Sequence, residues 1–211
     1  KWYEMPHECP EIIDKAVYGL PETNREQIKD AHLVANPGCY PTAIQLALTP
    51  LLKEGLIDPL SIIADSKSGI SGAGRKNNID LLLSEAGENF KAYSITGHRH
   101  QPEIVEHLSK NSPLGKIKLL FVPHLLPIAR GIHATIYVNC LNAFEPSVIF
   151  DKYYGNEPFV DVMEQNSCPE TKSVRASNMC RISFYKVPDT NQLVILSVID
   201  NLQKGAAGQA L

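Results

Sequence analysis

Cys39 lies in Asn36-Pro-Gly-Cys-Tyr-Pro-Thr42, between a Pro-Gly turn and a proline suited to the first position of a helix. Unpaired backbone N–H groups and the positive end of a helix dipole favour a thiolate at such a place. A thiol of lowered pKa is a nucleophile at neutral pH. The plain alternative is a small residue filling a turn, and the flanking Pro-Gly and Pro-Thr make it less convincing here. Cys9, Cys140, Cys168 and Cys180 have no comparable setting and read as structural.

Thr96-Gly-His-Arg-His100 places base, cation and base within five residues, with Pro102 and Glu103 just beyond. An imidazole titrates near the working pH, so His98 or His100 can move a proton in catalysis. Arg99 projects the other way in an extended segment and suits an anionic substrate group. The H-x-H spacing also fits a metal pair, but no H-E-x-x-H helix or run of carboxylate ligands accompanies it, so no metal is expected. A plain surface loop is the remaining reading. His124, in Val122-Pro-His-Leu-Leu-Pro127, is a third candidate base, although its apolar neighbours make a structural histidine the default. Arg130 and Gly131 follow closely enough to line the same site.

Ser68-Gly-Ile-Ser-Gly-Ala-Gly-Arg75 holds three glycines and two serines after a strand-like run. Such a segment can curl its N–H groups into an anion-binding nest. Its glycines follow neither G-x-G-x-x-G nor the Walker pattern, so a flexible surface loop is equally compatible.

The elements that must position these groups come from hydrophobic periodicity. A short helix is expected over 25–31 and an apolar run over 33–35. An amphipathic helix then starts at Pro41, with Ile44, Ala47, Leu48, Leu51 and Leu52 on one face, a kink at Pro50 and a stop at Gly55. Strands are expected over 60–64, 117–122, 183–186 and 193–199, with a hairpin turn at 189–191. Helices are expected over 79–85, from Pro102 to about residue 110, and in part over 144–154. Residues 132–139 alternate strictly, with Ile132, Ala134, Ile136 and Val138 facing one way, the mark of a sheet with one face on the core. Runs of strands with covering helices predict an α+β domain with a mixed sheet.

The 211 residues are 44% hydrophobic and 20% charged, which suits a packed domain. The net charge of −3 and the lack of a basic run argue against a nucleic-acid partner. No apolar stretch is long enough to cross a bilayer, so no membrane partner is expected. Five cysteines without a C-x-x-C pair argue against a disulfide framework and for a reducing compartment. The chain starts at Lys1 without Met and stops in a small-residue stretch without a cap, as a piece of a longer protein would.

The 36–42 and 68–75 segments, Gly97-His-Arg-His-Gln-Pro-Glu-Ile104, Pro123-His124, Arg130-Gly131 and Asp200-Asn-Leu-Gln-Lys-Gly-Ala-Ala207 occur together and in order. As a set they resemble the N-acetyl-γ-glutamyl-phosphate reductase family, in the group of aspartate-semialdehyde and glyceraldehyde-3-phosphate dehydrogenases. The resemblance implies a glyceraldehyde-3-phosphate dehydrogenase-like C-terminal domain, its mixed sheet covered by helices on one face. It implies NADPH-dependent reductive dephosphorylation of an acyl phosphate through a thioester on Cys39, with His98 as base and His100 second. Arg99, His100, Glu103 and Arg130 are then substrate-binding residues. Ser71, Gly72, Ala73 and Gly74 meet the NADP cofactor, with Asn201 near its ring.

The family's N-terminal glycine fingerprint is missing. Residues 1–32 are therefore expected to be a remnant of a dinucleotide-binding domain, and 33–200 the catalytic and dimerisation domain. Residues 201–211 begin a C-terminal helix that packs on the missing domain. A cytoplasmic homo-oligomer, dimer or tetramer, is implied, inactive as the isolated chain. Two other readings stand beside it: a cysteine hydrolase using Cys39 and His98, and a non-catalytic dimerisation module.

Overall fold

The computed structural model describes residues 6–74 and 82–211. Arg75, and the first part of the helix expected over 79–85, lie outside the described residues. The elements in chain order are β1 (Val17–Tyr18), α1 (Pro21–Lys29), β2 (Val34–Ala35), α2 (Cys39–Lys53), β3 (Ile62–Gly69), α3 (Leu83–Ala86), β4 (Lys91–Ala92) and α4 (His100–Asn111). They continue with β5 (Leu119–Leu126), β6 (Ile132–Asn139), α5 (Pro146–Tyr154), β7 (Val160–Val162), β8 (Cys180–Lys186), β9 (Gln192–Ile199) and α6 (Gly208–Ala210).

The described residues form a seven-stranded sheet in the order β4-β5-β3-β6-β9-β8-β7 and a separate parallel pair, β1-β2. β3 and β5 run parallel, and α4 lies in the connection between them. β6, β9 and β8 form antiparallel neighbours. The sheet is therefore mixed, as expected. One of its faces carries Ala64, Phe121, Ala134, Ile136 and Ile195, all fully buried beneath the helices. The alternation over 132–139 falls as the sequence predicts: Ile132, Ala134, Ile136 and Val138 are buried, and Tyr137 is exposed.

Helix α2 departs from expectation in two ways. It begins at Cys39 rather than Pro41, which puts the thiol in the first turn itself. It is buried all round from Tyr40 to Leu52 rather than on one face, because the sheet lies on one side and α4 and α5 on the others. As expected, it runs through Pro50, to Lys53. A proline in a helix interior costs about 3 kcal/mol, partly by orphaning the carbonyl four residues earlier. Here that carbonyl belongs to Leu46, and the Tyr154 hydroxyl from α5 donates to it at 2.6 Å. Gly55, at φ 64°, then ends the helix as the sequence suggests.

Other boundaries shift outward. α1 starts at Pro21, its first helical position, and α4 starts at His100. β3 and β5 each run further along the chain than their apolar cores suggest. After β9 the chain does not enter a regular helix at Asn201. It turns at Asp200–Leu202 and makes a π-helical turn over Gln203–Ala207 before the short α6.

Candidate active site

The turn before α2 is held from behind. Glu103, one turn into α4, accepts the Gly38 N–H at 2.9 Å and the Tyr18 hydroxyl at 2.8 Å, both on Oε1. Gln45 Nε2 donates to the same Tyr18 oxygen at 2.8 Å, and the Tyr18 ring stacks on His107. Burial raises the Glu103 carboxyl above the usual carboxylate range, while those two donors and Arg99 pull it back. Glu103, expected to touch substrate, thus directs Oε1 to the turn that carries Cys39.

Gly38 is the close-approach point. A Cβ there would stand 2.7 Å from His100 Nε2, so the imidazole lies on the bare glycine. Gly38→Ala should lower stability by about 1–3 kcal/mol through overpacking, since its backbone (φ −66°) is otherwise open to alanine. Thermal unfolding of the variant measures this, and an unchanged midpoint would mean that His100 moves aside freely.

Cys39 is half-buried, and all five cysteines are free, as the sequence suggested. The expected lowering of its pKa is not what the structure gives. Burial pushes the thiol up to about 11, with the Tyr40 and Cys39 backbone N–H groups and Arg99 pulling it down only in part. Helix-end donors are present, but desolvation outweighs them. Alkylation of Cys39 by iodoacetamide should therefore climb with pH well past about 8.5, the value of a free thiol, towards a midpoint of about 11. A plateau reached near neutral pH would show a thiolate already formed at rest.

His98 and His100 come together as expected, with ring centroids 4.9 Å apart. His98 sits edge-on to Tyr40, Tyr93 and Phe121. Burial and Arg99 lower its pKa to about 4, so the ring is neutral at physiological pH. Its Nδ1 accepts the His100 N–H at 3.1 Å, which makes Nε2 the protonated nitrogen of the neutral ring. His100 is buried, and its pKa is lowered to about 3 by desolvation first and then by His98 and Arg99. Among the described residues, its buried Nδ1 has no hydrogen-bond partner. Arg99 is exposed between them. Among the described residues no imidazole is hydrogen-bonded to Cys39 Sγ. Catalytic contacts often tighten only with substrate bound.

His124 lies elsewhere. Its side chain shares a strand face with Leu120 and Val122, brings Nδ1 to 3.0 Å from an Asp65 carboxylate oxygen and stacks on Phe90. Only its carbonyl reaches the site, accepting a long 3.5 Å bond from the Tyr40 hydroxyl.

A second cluster forms where β3 and β9 end. Asn201 Nδ2 donates to Ser71 Oγ at 3.0 Å, and Asn201 Oδ1 accepts the Gly131 N–H at 2.7 Å. Arg130 pairs at 3.3 Å with Asp200, which is fully buried and also accepts the Ala176 and Leu202 N–H groups. Ser71, Gly72 and Ala73 form a 3-10 turn closed by Gly74, at φ 70°, where no described atom lies within 4 Å of the place a Cβ would take. The two clusters meet through the turn after Asp200, where Gly205 packs on Cys39. Sequence reasoning grouped most of these residues but missed Tyr18, Gln45, Tyr93 and Gly205. The first three carried no motif, and Gly205 passed as part of a small-residue helix.

The mixed sheet with helices on one face, its central helix opened by Cys39, is that of a semialdehyde dehydrogenase dimerisation domain. The chain belongs to that family: the model described as semialdehyde dehydrogenase, dimerisation domain, matches residues 39–201. Over its whole length it is 56% identical to an N-acetyl-gamma-glutamyl-phosphate reductase of Nitrosomonas europaea and 53% identical to one of Thiobacillus denitrificans. It spans 61% of the length of each. Among solved structures, aspartate semialdehyde dehydrogenase II of Vibrio cholerae superposes with a TM-score of 0.71 at 15% identity, covering 94% of this chain and 67% of that one. The enzyme from Francisella tularensis gives 0.70 at 17% identity, covering 92% and 68%. These two establish the fold alone.

Proposed function

We propose that this chain is the catalytic and dimerisation part of an NADPH-dependent N-acetyl-γ-glutamyl-phosphate reductase, acting in cytoplasmic arginine biosynthesis and inactive in isolation. The observation that carries this reading is Cys39 in the first turn of α2, its turn tied down by Glu103 and flanked by the His98–Arg99–His100 cluster. The reductase relatives support the choice of substrate.

Cys39 Sγ attacks the acyl carbon, the carbon–oxygen bond to phosphate breaks, and a thioester remains on the enzyme. Because the resting thiol is protonated, its proton must leave as the new bond forms, and the leaving phosphate takes up a proton. NADPH, when bound, would supply the hydride that reduces the thioester. The carbonyl oxygen becomes negative at that point, and His98 stabilises it through Nε2–H. Re-forming the carbonyl expels the Cys39 thiolate and releases N-acetylglutamate semialdehyde. Where the oxygen has been protonated, His98 takes that proton back, which requires Nδ1 to let go of the His100 N–H. Arg99, Arg130 and the unpartnered Nδ1 of His100 bind the anionic groups of the substrate.

The turn at Ser71–Gly74, bonded to Asn201 and with no described atom close to Gly74, fits a nicotinamide cofactor that approaches along the backbone. Ser71, Gly72, Ala73, Gly74 and Asn201 are the residues that would hold it. Residues 1–32 read as the remnant of a dinucleotide-binding domain. Among the described residues β1, within this stretch, pairs with β2 just beyond it as a separate two-stranded sheet that leaves Val34 exposed, as the margin of a larger sheet would. Homo-oligomer formation has a natural surface in the other face of the main sheet. There Leu120, Ile63 and Tyr137 stand in register on adjacent strands and are 38–52% exposed. Among the described residues, no helix is long and apolar enough to cross a membrane.

The test is turnover by the intact protein, with N-acetylglutamyl phosphate and NADPH, followed by cofactor absorbance and phosphate release. One NADPH oxidised per phosphate released is expected. Sustained phosphate release without NADPH would make the protein a hydrolase instead.

A further inference from the structure

Lys204 is 1% exposed, and its ammonium pairs with the Glu22 carboxylate from the first turn of α1. The Glu22 side chain is buried to the same degree, and its Oε2 has no hydrogen-bond partner among the described residues. Such a pair is a poor way to gain stability, because desolvating both charges offsets their attraction and an apolar pair of similar volume serves as well. What a buried pair does supply is a fixed position for the backbone on either side.

The backbone beside Lys204 is the wall behind the nucleophile. A Cβ built on Gly205 would lie 2.7 Å from Cys39 Cβ and 3.1 Å from its Cα, so the two residues touch without a side chain between them. The π-helical turn containing Lys204 and Gly205 is pinned on both sides of Gly205. Lys204 anchors it to Glu22, and Asn36 Nδ2 donates to the Ala206 carbonyl at 3.0 Å. The Gly205 N–H donates to the Asp200 carbonyl at 3.0 Å. The Lys204 ammonium also stands 5.7 Å from the Phe159 ring, a second restraint on the same side chain.

We propose that Lys204 is a positioning residue for Cys39. Its ion pair with Glu22 holds the Gly205 backbone as the surface on which the cysteine rests, and so sets the direction in which Sγ points. The proposal rests on Cys39 being the nucleophile.

The experiment compares Lys204→Met, Lys204→Arg and Gly205→Ala in the intact protein. The readouts are kcat, KM and the iodoacetamide labelling of Cys39, mapped by peptide mass. Cys9 and Cys168, both exposed, serve as internal standards in each sample. Lys204→Met should lower kcat about tenfold or more while KM stays within about threefold, as misplacement of a reacting atom does. Its Cys39 should label about fivefold faster, because a loosened wall opens the thiol to a neutral reagent. Lys204→Arg should recover most of the kcat. A folded Lys204→Met with parental kcat and Cys39 labelling would overturn the proposal. Should that variant fail to fold, Gly205→Ala decides alone, because it crowds Cys39 without touching the ion pair. A loss of kcat at unchanged KM supports the wall, and parental kcat overturns it. The nucleophile reading is checked apart from this: an active Cys39→Ser removes it, whereas the labelling ratios still report whether Lys204 controls the cysteine.

Discussion

Cys39→Ser in the intact protein should lower NADPH oxidation by about 10⁴-fold or more, with little change in stability. The substitution exchanges one atom in a half-buried side chain whose neighbours, the Gly205 backbone and the first turn of α2, stay in place. What it removes is the sulfur chemistry. No imidazole is hydrogen-bonded to this side chain among the described residues, so a serine hydroxyl there has no base poised to ionise it. A hydroxyl is far harder to ionise than a thiol, even one raised to about 11. An oxygen ester would also be the wrong intermediate, since alkoxide leaves far less readily than thiolate when the aldehyde forms. Unchanged thermal unfolding together with lost turnover is the expected pair of results. Turnover within about tenfold of the parent would remove Cys39 from the chemistry.

His98→Asn should cut kcat by about 10² or more, within the range of a lost acid–base group. The geometry makes the prediction finer. Since Nδ1 of His98 is committed to the His100 N–H, the nitrogen available to substrate is Nε2, which carries the proton. An asparagine amide reaches only the Nδ1 position, so it keeps the bond to His100 and loses the donor. His98→Gln extends an amide N–H to about the place of Nε2 and should recover part of the rate. The low pKa of about 4 adds a pH signature. A histidine whose folded pKa lies below its free value stays neutral until pH falls through that lower value, so kcat should hold as the medium is acidified past about 6.5, the free value. Loss of rate centred near the free value would contradict this. So would a mild effect at His98 with a severe one for His100→Asn, which would transfer the role to His100.

Much of the sheet was legible because one face is buried and the other is not. Strand β6 announced itself by strict alternation, and both of its ends agree. Helix α2 was harder. Its surroundings bury it on every side, which no periodicity within the helix can announce, and Pro50 is tolerated only because Tyr154, far along the chain, supplies the missing donor. The candidate site was legible where chemistry sits in short motifs: His98 and His100 come together, with His100 against Gly38 in the turn before Cys39. Its supports were not. Tyr18 meets Glu103 across 85 residues of sequence and Tyr40 meets Tyr93 across 53, and neither pairing has a local signal. The pKa of Cys39 was misjudged for a related reason. The helix end is local and visible in the sequence, whereas the burial that outweighs it is made by distant segments such as Gly205. His124 belonged to the opposite strand face, a matter of register that its sequence neighbours did not reveal.

The most direct measurement is the mass of the intact protein after brief exposure to N-acetylglutamyl phosphate without NADPH, followed by peptide mapping. The thioester route predicts a stoichiometric N-acetylglutamyl adduct confined to the peptide carrying Cys39 and discharged when NADPH is added. An adduct on another residue, or NADPH-dependent turnover by a protein that never acylates at Cys39, would contradict it.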